Sequence, residues 1–308
     1  MTSVTLVAGA LQLAGVGLAP LLPGLIQTLK AWLQGRRGAA PWQPYRELAR
    51  LWDKSRVSPR GTTLVHAAAP PLIAAATLTA LLIVPMAGAA PDWPAGHDAL
   101  VLVGLLVLAR FAIGLSAWDS GSGFALLGAA RDLTVAVSAE VLLLLCLLLA
   151  VLPAGSTDLR LMSAAAGGPG IWSAPAHWCA LGAFALVVLA ETGRQPIDNP
   201  DTHLELTMIH EGPLLEYAGR DLAYLQWASA ARHWIVLVLA ADLFLPHGGG
   251  FWIDVGWLAG WLLVGCVGLA VTESVVAKAR LLRVPVLLGL GSMIATLGLA
   301  SWQVLGAR

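Results

Sequence analysis

The sequence predicts an all-α integral membrane protein, a bundle of about eight transmembrane helices with an amphipathic surface helix and a long cytoplasmic loop between the fifth and sixth spans. Hydrophobic residues make up 58% of the 308 residues and charged residues only 12%, whereas a soluble domain carries about a quarter charged residues. The apolar residues come in runs of about twenty, the length that crosses a hydrocarbon core of roughly 30 Å. The basic residues fall almost entirely in alternate connections between these runs.

The predicted spans follow from eight apolar runs. They cover residues 3–30, 64–88, 98–117, 131–152, 176–191, 231–246, 255–277 and 285–305. Pro20 and Pro23 are expected to kink the first span. This first run follows no basic region and is longer than the hydrophobic segment of a signal peptide, so it is interpreted as a retained helix. We expect residues 1–308 to form one transmembrane domain.

The distribution of Lys and Arg predicts the orientation in the membrane, because cytoplasmic connections carry an excess of basic residues. Such residues lie between the first and second, fifth and sixth, and seventh and eighth runs, and they flank the connection between the third and fourth: Lys30, Arg36, Arg37, Arg46, Arg50, Lys54, Arg56, Arg60, Arg110, Arg131, Arg194, Arg220, Arg232, Lys278, Arg280 and Arg283. The other side holds only Arg160 and the terminal Arg308. We therefore expect the charged loops in the cytoplasm and both termini outside.

The first cytoplasmic loop contains a short amphipathic pattern. Pro44 begins it, and Tyr45, Leu48 and Trp52 share one face. Such a helix is expected to lie flat on the inner membrane surface.

Composition and motifs argue against several functions. A formal net charge of zero gives no support for binding nucleic acid through overall charge. Cys146, Cys179 and Cys266 lie singly in apolar runs, without the spacing of zinc or iron-sulfur ligands, and are interpreted as small buried hydrophobic residues. The chain has no Walker loop, dinucleotide fingerprint or Ser/His/Asp arrangement. We therefore expect a non-catalytic chain that binds no metal or cofactor itself.

Glu140 is the clearest candidate for proton chemistry. It lies nine residues into the fourth predicted span, which places it about 14 Å deep at 1.5 Å per residue. Charged groups at that depth cost at least about 2.5–3.5 kcal/mol on insertion scales, so they are usually functional. Glu140 can hold or pass a proton there, and the alternative is a neutral acid that packs against a neighbouring helix.

The loop after Glu191 is dense in titratable groups and long enough to be functional. If residues 203–210 are helical, His203 and His210 share a face with Glu205 and Glu211 nearby. Metal ligation is poorly supported, because a zincin needs its second histidine four residues after the first. A solvated helical segment beside the membrane is the plain alternative.

Three smaller charged groups complete the pattern. Asp119 is expected to form a cluster with Arg131 and Asp132, and Glu273 is expected to pair near the interface with the basic residues that follow it. Asp242, near the outer end of the sixth span, has no evident partner and is a weaker candidate for an exit-side proton group.

One long motif carries a specific resemblance. Residues 190–211 read AETGRQPIDNPDTHLELTMIHE, and LEYAG follows at 215–219. With shorter matches along nearly the whole chain, this segment resembles the membrane subunit shared by respiratory complex I (the H subunit of bacterial NADH-quinone oxidoreductase) and energy-converting nickel-iron hydrogenases. The likeness is greatest to the hydrogenase-4 and formate hydrogenlyase branch. Two departures from complex I, His203 at an acid position and a longer segment with His210 and Glu211 before Glu216, favour that branch.

The resemblance implies a tilted bundle of eight helices whose long loop docks a peripheral redox arm. It implies an acidic proton path, to which we assign Glu140, Glu191, Asp198, Glu205, Glu211 and Glu216. The docking surface is expected to include Arg36, Arg37, Arg131, Arg194, Asp201, His203 and His210. Expected partners are a hydrogenase large subunit, iron-sulfur subunits and antiporter-like membrane subunits in the cell's inner membrane, with the nickel-iron centre and the iron-sulfur clusters held by those partners.

Two other functions stay open at this point. The chain is alternatively the quinone-site subunit of a complex I-like NADH-quinone oxidoreductase, in which case a quinone binds near the first or the long cytoplasmic loop. An independent proton or ion transporter is a third class, against which the sequence offers no pair of interrupted helices typical of an inverted repeat.

Overall fold

The computed structural model describes residues 3–93, 96–199 and 208–305. In these ranges the protein contains eleven α-helices and three short 3-10 turns. The helices are α1 (Ser3–Leu18), α2 (Leu21–Leu33), α3 (Gln43–Trp52), α4 (Leu64–Ile83), α5 (Ala99–Asp119), α6 (Gly123–Ala154), α7 (Leu159–Ala166), α8 (Pro175–Glu191), α9 (Gly219–Phe244), α10 (Phe251–Val275) and α11 (Val284–Leu305).

Helices occupy all eight predicted apolar runs, which confirms the all-α membrane bundle. Six of them are long and apolar enough to cross a membrane, and α1 with α2 makes a seventh candidate that bends by 55° at the break containing Pro20. The shorter α8 has 17 residues. The chain is thus a multi-pass membrane protein, while the count of eight spans stays a prediction.

Two spans begin earlier than the sequence predicts. The run at 131–152 belongs to α6, which starts at Gly123, and the run at 231–246 belongs to α9, which starts at Gly219. Charged residues interrupt the apolar pattern in both helices. They stay helical because they meet charges inside the protein, as Arg232 does with Glu191 at 3.0 Å.

Helix α9 is the central element. In its candidate span 78% of the residues are buried inside the protein, against 28% in α10 and α11. Helices α4 and α8 pack on its sides, α5 and α6 close the bundle around them, and α10 packs on α2. Large apolar side chains on the outer faces, such as Val137 on α6 and Leu263 on α10, are exposed. A membrane offers these side chains an apolar solvent.

The short amphipathic segment in the first loop forms helix α3, as the sequence predicts. The Tyr45 hydroxyl on α3 donates to the Gly17 carbonyl at 2.6 Å, and Trp52 packs edge-on against Tyr224 of α9 with ring centroids 5.4 Å apart. These contacts fix α3 to the end of α1 and to the central helix. Its position on the membrane surface stays a prediction.

One of the smaller charged groups differs from expectation. Asp119 does not join Arg131 and Asp132. Its carboxylate instead accepts hydrogen bonds from the backbone amides of Thr63 (2.8 Å) and His66 (3.1 Å), which caps the first turn of α4. Asp242 is buried on α9, and the backbone amide of Gly88 lies 3.5 Å from its carboxylate.

A charged cavity as the candidate functional site

A cavity of about 820 Å³ is lined by residues of α2, α4, α5, α6, α8 and α9, by helix α3 and by the segment 208–217. This volume is in the range of ligand cavities, about 300–1,000 Å³. Its apolar side includes Pro20, Pro23 and Ile73. Its titratable lining residues are Glu47, Arg110, Asp132, Glu191, Arg194, Asp198, His210, Glu211, Tyr217, Arg232 and His233.

Arg110 on α5 is the centre of one buried ion cluster. Its guanidinium lies 2.8 Å from Glu191, 3.8 Å from Asp132 and 3.9 Å from Glu140. Arg232 on α9 also contacts Glu191 at 3.0 Å. Both contacts use the Glu191 Oε2 atom, and among the described residues its buried Oε1 atom has no hydrogen-bond partner. An unpaired buried carboxylate oxygen is costly, and Glu191 keeps an unused acceptor position at this atom.

Asp198 organises a second cluster just after α8. Its carboxylate accepts from Lys278 Nζ at 2.7 Å and from the backbone amides of Ile209 and His210 at 3.3 and 3.1 Å. The His210 Nδ1 atom also lies 3.1 Å away. Burial acts to raise the pKa of Asp198, but the bonds and charges from His210 and Lys278 outweigh it and hold that pKa well below its usual range. Asp198 is therefore an anion at neutral pH and anchors the segment that carries His210.

A third cluster joins three parts of the chain. Glu273 on α10 contacts Arg194 at 2.6 Å and Lys30 on α2 at 3.0 Å, and its side chain is 1% exposed. The expected interfacial pairing of Glu273 with the basic residues that follow it is therefore wrong. Glu273 turns inward because both cations are buried there, while Lys278 pairs with Asp198 instead.

Close backbone contact holds the segment 208–217 against α6. A methyl group at Gly128 of α6 would lie 2.6 Å from the Gly212 Cα atom and 2.9 Å from the Pro213 nitrogen. Only glycine fits this approach. This contact places the His210 Nε2 atom 3.6 Å from the Asp132 Oδ1 atom. His210 thereby links the first two ion clusters.

The predicted site residues fall into three groups. Those brought to the cavity or its ion clusters are Glu140, Glu191, Arg194, Asp198, His210 and Glu211. Others lie away from the cavity lining: Glu216 is in the turn before α9, Arg36 and Arg37 are exposed after α2, and Arg131 on α6 donates to the Met208 carbonyl at 3.5 Å. Asp201, His203 and Glu205 lie outside the described residues. At its described end, the suggested helix of residues 203–210 is not formed, since His210 lies in a bend.

Sequence reasoning missed most of the basic partners. It assigned Lys30, Arg110, Arg232 and Lys278 to loop orientation, and the structure pairs them with acids in the interior. Arg110 carried a usable signal, because it lies within the apolar run 98–117 rather than at its end. A cation in such a run requires a buried counter-ion.

The described residues contain no group of three or more His, Cys, Asp or Glu side chains arranged to hold a metal ion. Cys146 and Cys266 are fully buried, and Cys179 is partly buried.

A family model described as NADH dehydrogenase matches residues 6–300. Hydrogenase-4 component C of Escherichia coli (strain K12) is 31% identical over 294 residues, which are 92% of this chain and 91% of that protein. Formate hydrogenlyase subunit 4 of the same organism is 30% identical over 279 residues, which are 85% of this chain and 87% of that protein. The H subunit of the NADH-quinone oxidoreductase of Verminephrobacter eiseniae (strain EF01-2) is 27% identical over 277 residues. These residues are 80% of this chain and 75% of that protein.

A solved structure shares the fold. A chain of the membrane-bound sulfane sulfur reductase, an archaeal respiratory membrane complex, superposes with a TM-score of 0.82 at 19% sequence identity. The match covers 97% of this chain and 100% of that one. At this identity the likeness establishes the fold alone.

Proposed function

This chain belongs to the NADH dehydrogenase family, and from that membership we propose that it is the membrane-anchoring, proton-coupling subunit of a membrane-bound nickel-iron hydrogenase or formate hydrogenlyase-type complex. The two relatives at 30% identity or more belong by name to that branch, and each match covers most of both chains. The observation that carries the proton-coupling role is the buried set of linked ion pairs that borders one cavity.

The proposed relay uses the acids of these clusters. In the part of the chain that the structure describes, Glu191 has a buried oxygen without a hydrogen-bond partner, and Glu140 lies 3.9 Å from the same Arg110. A proton bound at either acid alters the charge balance around Arg110, since charges interact strongly at low dielectric. Glu211 borders the cavity, and we assign Glu205 and Glu216 to the continuation of this path. Asp198 contributes as a fixed anion that positions His210.

The proposed partners hold the redox cofactors. We expect a hydrogenase large subunit with a nickel-iron centre, iron-sulfur subunits of a peripheral arm, and antiporter-like membrane subunits. The arm would dock on the basic side of the bundle, where Arg36 and Arg37 are exposed, together with Arg131, Asp201 and His203. In this arrangement the complex lies in the cell's inner membrane, with the charged loops in the cytoplasm and both termini outside.

Purification of the intact complex tests this proposal. A tagged chain extracted in mild detergent is expected to bring down a nickel-iron large subunit and iron-sulfur proteins, identified by mass spectrometry and metal analysis. Recovery of the chain without a nickel protein would contradict the assignment.

A quinone site is the second candidate function. The cavity has the size of a ligand site and combines an apolar side with charged residues, a composition suited to a quinone head group. A photoreactive quinone analogue that crosslinks to segment 208–217 or to α3, and is competed by unlabelled quinone, would favour this alternative over the hydrogenase assignment.

A further inference from the structure

A buried cluster beside the cavity consists of His66, Ser116 and Tyr217, from α4, α5 and the turn before α9. Their residues are 2%, 0% and 5% exposed. The imidazole of His66 stacks on the Tyr217 ring with centroids 4.2 Å apart and an interplanar angle of 2°. Tyr217 also lines the cavity, so the cluster reaches from the cavity wall into the first turn of α4.

The hydrogen bonds of the cluster have a single consistent direction. The Tyr217 hydroxyl lies 3.0 Å from the His66 carbonyl oxygen, which can only accept, so Tyr217 donates its one proton there. The Ser116 hydroxyl, in close contact with the Tyr217 hydroxyl, must then be the donor to it. The His66 Nδ1 atom, 3.1 Å from Ser116 Oγ, must in turn donate to Ser116.

This direction fixes the tautomer of the imidazole. Because Nδ1 carries the proton in the neutral ring, Nε2 carries the lone pair. Among the described residues Nε2 is buried without a hydrogen-bond partner. The three side chains therefore form a hydrogen-bonded chain. The basic Nε2 atom of His66 lies at its buried end, and the Tyr217 phenol lies at the cavity wall.

We propose that His66, Ser116 and Tyr217 form a proton wire that delivers protons to the cavity bordered by the acidic ion clusters. A proton from water arrives at His66 Nε2, the Nδ1 proton passes to Ser116 Oγ, and the Ser116 proton passes to the Tyr217 oxygen. The Tyr217 hydroxyl turns from the His66 carbonyl and gives its own proton to a base in the cavity. Each group gains one proton and loses one. The wire deepens the proposed proton-coupling function and rests on it.

The groups around the wire suit this role. Asp119 at the end of α5 accepts from the His66 backbone amide at 3.1 Å, which fixes the backbone of the residue that carries the imidazole. Arg56 and Asp221 form an ion pair with atoms 2.5 Å apart, and both charges act on Tyr217. Burial, ahead of these contacts, raises the pKa of Tyr217 to about 12. The phenol is therefore protonated at neutral pH, so it can pass a proton on without remaining as a phenolate.

The test uses the purified complex in proteoliposomes. Tyr217→Phe keeps the ring that stacks on His66 but removes the hydroxyl, and Tyr224→Phe is the matched control, since Tyr224 packs on Trp52 instead. We expect Tyr217→Phe to slow proton translocation at least about tenfold and to alter its solvent isotope effect. One general acid or base typically changes a reaction rate 10²- to 10⁴-fold. We set the expected loss lower because the acidic clusters are intact in this variant. Tyr224→Phe should match the wild type.

A second variant separates proton transfer from packing. In His66→Asn the amide can still donate to Ser116, but it has no basic nitrogen, so the proton rate should fall as in Tyr217→Phe. Wild-type rates in either variant would overturn the wire while leaving the proposed function intact. A wild-type complex that turns over but moves no protons would instead contradict the proposed function, and the wire with it.

Discussion

At the scale of single residues, Asp198 illustrates how a buried carboxylate stays ionised. Burial favours its neutral form, but Lys278, His210 and two backbone amides all favour the anion. Its folded pKa is therefore below the ordinary value of about 3.9. The stabilisation is complete above that ordinary value and is lost as the pH falls through the folded pKa.

Because the stabilisation requires the ionised carboxylate, the effect of Asp198→Asn should depend on pH. The variant should melt at a lower temperature than the wild type at pH 7, and the difference should shrink in strong acid, where the wild-type carboxylate is protonated as well. Thermal unfolding in detergent at several pH values measures it, with Asp53→Asn at the exposed end of α3 as the control. A melting difference that is independent of pH would show that the charge of Asp198 contributes nothing.

The sequence singled out Glu140 and Glu191, which share one ion cluster, but it did not identify their partners. Glu140 and Glu191 stood out because acids within or at the end of apolar runs are rare. Their shared partner Arg110 and the second cation on Glu191, Arg232, are distant in sequence, and such pairs become visible only when the helices are assembled. For the same reason Glu273 was paired with its sequence neighbours rather than with Lys30 and Arg194.

At the scale of elements, the contact between α6 and segment 208–217 depends on two glycines. A side chain at Gly128 would collide with the backbone at Gly212, and backbone cannot move aside as a flexible side chain can. This contact positions His210 between Asp132 and Asp198.

Gly128→Ala is therefore expected to destabilise the protein by about 1–3 kcal/mol, the usual cost of overpacking. Gly104→Ala in α5 is the matched control, because a methyl group there meets no atom of the described residues within 4 Å. Comparison of the two melting temperatures in detergent measures the effect. Equal melting temperatures would mean that segment 208–217 does not pack on α6 as described.

Element boundaries show where sequence reasoning stops. Each of the eight apolar runs lies mostly in one helix or, for the first run, in α1 with α2, but α6 and α9 begin before their runs. Arg131 and Asp132 in α6 and Asp221 in α9 interrupt the apolar pattern there. A hydropathy profile scores every charged residue as if its side chain were in water. It cannot recognise a charge that a neighbouring helix neutralises inside the bundle.

At the scale of the whole molecule, the distribution of basic residues predicts the orientation. Arg37 is exposed in the connection after α2, and Asp92 is exposed after α4 with a side-chain exposure of 93%. With the native cysteines replaced, Arg37→Cys should react with a membrane-impermeant maleimide only after lysis, because this connection is predicted to face the cytoplasm. Asp92→Cys should react in cells whose outer barrier has been opened. The reverse pattern would invert the predicted topology.

The central claim is that acids within the bundle carry protons for redox chemistry performed by partner subunits, and Glu140 tests it most directly. Glutamine has the same shape, so Glu140→Gln should leave the complex assembled and catalytically active. The decisive measurement is the number of protons translocated per redox turnover by the purified variant in proteoliposomes. We predict a loss of most translocation at near-normal turnover, and an unchanged ratio would contradict the claim and assign Glu140 to packing.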